Sequence, residues 1–252
     1  MSLEGRVALV TGGGRGAGRG VSLALAEDGA DVAVAYNRDE DAARATVADV
    51  EALGRRAIAV HAPMTDRDAI EAAVATTIAE LGPIGILVNN AGAASRGGSV
   101  VKTDPDEWAK LVQVHAIGPA WTCRAVVPSM QELERGDIVF ISSIATDHYA
   151  AGQGPYSMGK AAMESLAFTL SKEVRRKGIH VNVVAPGLLD TEMGRRLVKG
   201  AAGVEDIRTL DASSPFGRVC TPEDVANVVR FLVGDGGAYV SGERVRVHGG
   251  GQ

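Results

Sequence analysis

The sequence predicts an α/β fold, a doubly wound parallel β-sheet of about seven strands with helices on both faces, formed as a single domain over residues 1–252. Three observations predict it. Short apolar runs, too brief for helices, alternate with longer segments whose apolar residues recur at helical spacing. The first run, Arg6 to Val10, passes straight into a glycine turn, Thr11-Gly-Gly-Gly-Arg-Gly-Ala-Gly18, and then into a helix. No internal repeat, low-complexity tract or linker interrupts the alternation, and the length suffices to bury one large core.

Composition narrows the function. Hydrophobic content of 46% and charged content of 23% are ordinary for a soluble globular chain. A net charge of −5, no long basic run and only 4% aromatics argue against nucleic acid and an anionic membrane as partners. Cys123 and Cys220 lie far apart without metal-ligand or redox spacing, so both read as small core residues in a reducing compartment, and no metal is expected. The first residues lead directly into a strand-like run, and no apolar stretch approaches the ~18 residues of a membrane span. The expected localisation is cytoplasmic.

Strand, glycine turn and helix in that order are the context a dinucleotide-binding turn requires. Gly12 permits the tight turn, Gly16 lets backbone approach a pyrophosphate, and Gly18 lets helix and strand pack closely. A glycine string without those flanks fits a flexible loop equally well. The helix runs through Val21, Leu23, Leu25 and Ala26 to Gly29. The spacing Gly-x-x-x-Gly-x-Gly behind a leading threonine resembles the short-chain dehydrogenase/reductase family. The resemblance implies a Rossmann-type fold and a phosphate-binding turn made by Gly12, Gly14, Arg15, Gly16, Ala17 and Gly18.

The second strand, Asp31 to Ala35, ends in Tyr36-Asn37-Arg38. An NAD-preferring site places an acid there for the ribose 2′-hydroxyl. Tyr36 stands in its place, nothing in this reading repels a 2′-phosphate, and Arg15 and Arg38 offer cationic donors. NADP(H) is therefore expected over NAD(H), with Arg38 also readable as a solvated loop charge. A helix from Ala42 to Leu53 ends at Gly54, Arg56 to His61 forms the third strand, and Thr65 opens a helix through Ile70 and Leu81. Between them, Pro63 stands where family members typically carry an aspartate for the adenine amino group, so that contact is lost or replaced; Met64 beside it belongs to the expected cofactor set. Ile84 to Val88 is the fourth strand. The Asn89-Asn-Ala-Gly92 that follows matches a family segment passing beside the cofactor, which assigns Asn90, Ala91 and Gly92 to that site.

Pro105 to Met130 reads as one long helix. His115 occupies a position where most family members have asparagine, a fourth catalytic-site member that acts chiefly through its backbone carbonyl and a water linked to the lysine. Pro119 cannot donate to the carbonyl four residues earlier, which is that of His115, so the proline is expected to expose it. A packed helix histidine and a direct acid/base group are the competing readings.

Asp137 to Ser142, the fifth strand, delivers Ser143 at its carboxyl end, where open α/β sheets bind ligands. Tyr156 and Lys160, at i and i+4, share one face of the next helix. An ammonium near a phenol favours phenolate and lowers a pKa that starts near ~10. Tyr-x-x-x-Lys alone is more often an exposed helix face; the thirteen-residue spacing after Ser143 and the order of the motifs match the family. Asp147, His148, Tyr149 and Gln153 are expected on the substrate side, Gln153 where related ketoreductases often carry a pocket glutamine, while His148 fits an exposed loop as well.

The sixth strand, Ile179 to Ala185, leads into Pro186-Gly187-Leu188-Leu189-Asp190-Thr191. The resemblance assigns this segment to the cofactor, with Leu189 and Thr191 at the nicotinamide carboxamide. Residues 190–214, with Met193 facing substrate, read as a substrate lid. Thr221-Pro-Glu-Asp224 opens another helix, Arg244 to Val247 is the last strand, and His248-Gly-Gly250 replaces a usual Asp-Gly-Gly near a subunit interface.

The resemblance covers Thr11 to Gly250. It implies a homotetramer or homodimer and hydride transfer between NADP(H) and a carbonyl or alcohol: Tyr156 is the general acid/base, Ser143 holds the substrate oxygen, and Lys160 tunes the tyrosine and holds ribose hydroxyls. The similarity is greatest to the 3-oxoacyl-acyl-carrier-protein reductase-like branch. The stretch Met130 to Arg135 carries one arginine among two glutamates, which argues against an acidic carrier protein and for a small-molecule ketone or alcohol. A non-catalytic NADP(H)-binding sensor is the alternative.

Overall fold

The computed structural model describes residues 2–250. Seven strands form one parallel sheet: β1 (Val7–Thr11), β2 (Asp31–Tyr36), β3 (Ala57–His61), β4 (Ile84–Asn89), β5 (Gly136–Ile141), β6 (Ile179–Pro186) and β7 (Arg244–Val247), in the order β3-β2-β1-β4-β5-β6-β7. The order reverses between β1 and β4, and that switch point opens a crevice at the carboxyl ends of the strands.

β1, β4 and β5 are buried along their whole length, and their residues divide by parity between two cores. Leu9, Leu87 and Phe140 pack with Ile70, Met130 and Met163 on one face, while Ala8, Val10, Ile86 and Val88 pack with Val21, Leu25, Val229 and Leu232 on the other. The first face is covered by α3 (Arg67–Leu81), α4 (Pro105–Val112), α5 (Gly118–Met130) and α7 (Gly154–Val174), which follow β3, β4 and β5; a four-residue α6 (Ala145–His148) precedes α7. The second is covered by α1 (Gly16–Glu27), α2 (Glu40–Ala52) and α9 (Pro222–Val233).

Two expectations about helices are corrected. The cap of α3 is Asp66, which accepts the Ala69 N–H at 3.0 Å, not Thr65. The predicted long helix from Pro105 to Met130 is α4 and α5 joined by a π-helical turn, Gln113–Ile117, in which the Gly118 N–H donates to the Gln113 carbonyl five residues back. The chemistry agrees with the placement, because Pro119 has no N–H to continue an α-helical ladder. α9 begins as predicted: Asp224 accepts the Thr221 N–H at 2.8 Å in a capping box.

Residues 190–214 contain α8 (Glu192–Ala202) and a 3₁₀ turn (Ile207–Ser213), seated on a small apolar cluster of Val198, Ile207 and Val219 separate from both main cores. At the amino edge of the sheet, the Asp137 carboxylate is almost wholly buried and receives Arg6 at 2.7 Å and Arg135 at 3.0 Å. Among the described residues no helix is long and apolar enough to cross a membrane.

Candidate active site

The glycine turn between β1 and α1 is held from beneath by β4. Thr11 Oγ1 accepts the N–H groups of Asn90 and Ala91, both at 3.0 Å, and Asn90 Nδ2 donates to the Thr11 and Gly12 carbonyls at 2.9 and 3.2 Å. That clamp leaves no room beneath Gly18, where a Cβ would lie 2.1 Å from the Gly12 carbonyl oxygen. Gly16 has a φ of +54°, a left-handed conformation that disfavours any side chain. Arg15 at the N-cap of α1 makes no side-chain capping bond, and no acid occupies the first turn. The positive end of α1 therefore points from a tight glycine cradle without an internal counter-charge, the arrangement that fits a pyrophosphate.

The other end of the crevice differs from expectation. Two acids border the turn after β2. Asp39 caps α2 through the Ala42 N–H at 3.1 Å and faces Arg15 at 3.4 Å; Glu40 lies beside the Tyr36 hydroxyl and is paired with Arg44 at 2.5 Å. Arg15 also reaches Glu192 at the start of α8 at 3.4 Å. The negative potential that the sequence reading took to be absent is thus present, with a resident cation beside each acid. Arg38 is exposed and makes no ion pair with a described residue, and the Asn37 carbonyl lies 2.9 Å from His61 Nε2. Met64 does not line the crevice with its side chain. That side chain is packed in the core, and its carbonyl accepts from Gln113 Nε2 at 3.2 Å.

Ser143, Tyr156, Lys160 and His115 come together where β5, α7 and the π-helical turn meet. Lys160 is buried on α7, donates from Nζ to the Ile141 carbonyl at 2.7 Å and sits 5.8 Å from the centre of the Tyr156 ring. The His115 ring meets Tyr156 edge-on, centroids 5.3 Å apart and planes at 85°. Its Nε2 lies 2.9 Å from the Ala93 carbonyl oxygen, which fixes that nitrogen as the protonated one and leaves Nδ1 buried with no partner among the described residues. Two glycines make room for the ring: a Cβ on Gly92 would come 3.0 Å from His115 Cε1, and one on Gly159 would come 3.2 Å from both Cβ and Cδ2.

Burial governs the titration of all three groups. It draws Lys160 down to about 7, against the pull of Glu164. It pushes the Tyr156 phenol above its ordinary value, with the Ser143 hydroxyl pulling the other way. It takes His115 down to about 3, helped by the Lys160 charge. Lys160 Nζ lies 5.8 Å from the Tyr156 ring centre, and burial is the largest influence on the phenol. Burial therefore favours the neutral ring, and His115 packs edge-on against Tyr156 from an interrupted helix.

On the substrate side Gln153 is half-buried immediately before α7, and its carbonyl accepts from the Ser157 N–H and Oγ, both at 2.9 Å. His148 and Met193 are exposed. Asp147, expected beside the substrate, turns instead toward β7, where Arg244 and Arg246 hold it at 3.0 and 2.9 Å. Pro186 and Gly187 are fixed between β5 and β7 by bonds from the Ile144 N–H and to the Val247 carbonyl, 3.0 and 2.9 Å. Leu189 pairs with Cys220, and Thr191 Oγ1 caps α8 by accepting the Gly194 N–H at 3.1 Å. His248 packs against Gly187 and accepts the Gly250 N–H at 3.1 Å. Burial raises both thiols, Cys123 and Cys220, to about 12.

Sequence reasoning missed Gly159, Glu164 and Arg244. Gly159 and Glu164 flank Lys160 on α7, and the i,i+4 spacing of Glu164 was a usable signal. Arg244 comes from a strand 84 positions beyond Lys160 and gave none.

Comparison with known proteins adds three findings. A family model described as short chain dehydrogenase matches residues 6–202. The chain is 35% identical over 250 residues to a 3-oxoacyl-acyl-carrier-protein reductase of Synechocystis sp., covering 99% of this chain and 98% of that protein, and 37% identical over 250 residues, at the same coverage, to a hydroxy(phenyl)methylsuccinyl-CoA dehydrogenase subunit of Thauera aromatica. A short chain dehydrogenase from Burkholderia cenocepacia J2315, solved in complex with NADP, superposes with a TM-score of 0.89 at 36% identity, covering 99% of both chains.

Proposed function

This chain belongs to the short-chain dehydrogenase family, and from that premise we propose that it is an NADP(H)-dependent oxidoreductase interconverting a ketone or 3-oxoacyl carbonyl with the secondary alcohol, Tyr156 acting as general acid/base. The observation that carries the reading is the meeting of Ser143, Tyr156 and Lys160 at the carboxyl edge of the sheet, beside a helix N-terminus that lacks its own counter-charge.

The glycine cradle and the first turn of α1 would hold the pyrophosphate, Asn90 to Gly92 and Pro186 to Thr191 would flank the nicotinamide half, and Arg15 with Arg38 would meet the 2′-phosphate. When bound, the cofactor supplies or accepts the hydride. The chain's own residues then handle the oxygen and the proton. Burial raises the phenol and lowers the Lys160 ammonium to about 7, so at neutral pH Tyr156 holds its proton. Reduction of a carbonyl starts from a protonated phenol. Ser143 donates to the same oxygen and fixes its position, and Lys160 restores the proton that Tyr156 gives up. The π-helical turn and Pro119 support a water on the His115 carbonyl as the route from Lys160 outward.

Substrate enters under residues 190–214, which this reading makes a lid because they rest on their own apolar cluster. A free small molecule is the expected substrate. Arg135, the one arginine of the Met130 to Arg135 stretch, is held by Asp137 and by the Leu232 and Gly234 carbonyls at the opposite edge of the sheet. A cytoplasmic homotetramer or homodimer completes the reading.

The test is NADPH oxidation over a panel of ketones and 3-oxoacyl thioesters, with Tyr156→Phe as the control. Loss of ~10²-fold or more in kcat/KM supports the assignment. NADPH binding without turnover on any of them favours the sensor.

A further inference from the structure

Behind Ser143 lies a charged cluster that the proposed chemistry does not use. Glu164 lies one turn beyond Lys160 on α7, nearly buried, and its Oε1 collects three donors: Ser142 Oγ at 2.5 Å, Thr146 Oγ1 at 2.9 Å and Arg244 Nε at 2.9 Å. Ser142 and Thr146 stand on either side of Ser143, so one carboxylate oxygen ties down the chain before and after the serine. Arg244, reaching in from β7, repeats the tie from the other side. Its Nη2 donates to the Ser143 carbonyl at 3.2 Å and to Thr146 Oγ1 at 2.7 Å, while its Nη1 lies 3.0 Å from both oxygens of Asp147.

We propose that Glu164 and Arg244 are positioning residues of the reaction centre: together they fix the Ser143 turn, and Glu164 supplies a counter-charge to Lys160 from one turn along α7. The proposal rests on the reading of Tyr156, Ser143 and Lys160 given above.

Two features separate this pair from an ordinary structural ion pair. The first is aim, since the bonds converge on the residues adjoining Ser143 and on its own carbonyl. The second is placement, since i,i+4 spacing on one helix face brings Glu164 alongside Lys160. The other titratable groups near Lys160 are the Tyr156 phenol on the same helix and the neutral His115 from the π-helical turn, and neither carries a negative charge at neutral pH. Glu164 is correspondingly the one group that pulls Lys160 upward against its burial. Arg244 tempers that pull by sharing the carboxylate, and Asp147, held by Arg244 and Arg246, closes the cluster toward solvent.

Removing the two members should therefore move Lys160 in opposite directions. Glu164→Gln keeps the shape and deletes the counter-charge, so the pH–rate limb belonging to Lys160 moves to lower pH, by roughly half to one unit. Arg244→Met frees Glu164 to act on Lys160 undiluted, so the limb moves to higher pH. Both variants loosen the Ser143 turn and lower kcat more than they raise KM, by ~10-fold or more at pH 7. Arg244→Lys, which keeps the charge without the fork, leaves the limb in place while kcat still falls.

The experiment measures pH–rate profiles of parent and variants together with an NMR titration of the labelled Lys160 ammonium, which reads the same shift without turnover. Opposite shifts for Glu164→Gln and Arg244→Met establish the proposal. Shifts of one sign, or none, overturn it, as does a fall in melting temperature with kcat unchanged. A Tyr156→Phe variant that keeps parental activity would sink the reading of the reaction centre instead, and the NMR titration would still decide the role of Glu164.

Discussion

Replacing Gly159 with alanine tests the packing behind the reaction centre, because its sign runs against the usual rule. Gly159 lies inside α7, where exchanging glycine for alanine ordinarily stabilises a helix by about 1 kcal/mol. Here the new methyl would meet the Leu111 carbonyl oxygen at 3.0 Å and both Cβ and Cδ2 of His115 at 3.2 Å. Neither neighbour can yield freely. Leu111 belongs to the backbone of α4, and the His115 ring is tied to Ala93, backed by Gly92 and seated against Tyr156. Overpacking of this kind costs about 1–3 kcal/mol, so the two terms leave Gly159→Ala destabilised by about 0–2 kcal/mol. Any relaxation of His115 is passed to Tyr156, so kcat/KM should fall by ~10-fold or more, since small displacements of a reacting group are amplified in rate. Urea unfolding and steady-state kinetics on the same samples read both effects. Combining Gly159→Ala with His115→Asn removes the ring side of the clash and should recover about 0.5–1 kcal/mol relative to additivity. A Gly159→Ala protein that is about 1 kcal/mol more stable than the parent and fully active would refute the reasoning, because it would mean that the ring and the helix are not in contact as described.

Three further outcomes follow from the same geometry. Asp137→Ala should destabilise the protein by about 3 kcal/mol with kcat/KM unchanged, since it leaves Arg6 and Arg135 without their shared buried carboxylate at the edge of the sheet away from the reaction centre; chemical denaturation beside kinetics checks it. His115, held at about 3 against an ordinary 6.5, takes up its proton later in the folded state than in the unfolded one. Its contribution is therefore complete above pH 6.5 and is lost as pH falls toward 3, by about 4–5 kcal/mol in all, so the stability gap between parent and His115→Asn should narrow in favour of the variant across that window. Arg15→Ala should raise the Kd for NADPH by ~10-fold or more while changing that for NADH by less than ~3-fold, measured by fluorescence titration; equal losses would refute the 2′-phosphate assignment.

Much of the site was legible in the chain because its parts are local. The glycine turn needs only a left-handed Gly16 and a side-chain-free Gly18, both enforced within a few residues of β1. The Tyr156–Lys160 pair needs only the helical repeat, and Ser143 only the end of β5. The π-helical turn was half legible: Pro119 marks the missing N–H, while the five-residue bond from Gly118 that absorbs it appears only in three dimensions.

The sequence by itself determined the α/β alternation, the identity and order of the functional segments and the family to which the chain belongs, because periodicity and short motifs record interactions between residues close in the chain. The tertiary structure alone decided the rest. It half-buried Tyr156 and buried Lys160, so that desolvation is the largest influence on the titration of both. It set Asp39 and Glu192 against Arg15, turned Asp147 toward β7, and carried Arg244 to the back of Ser143. Each of these depends on how far a charge lies from water and from groups remote in the chain, distances that are set only when the sheet and its helices close around them.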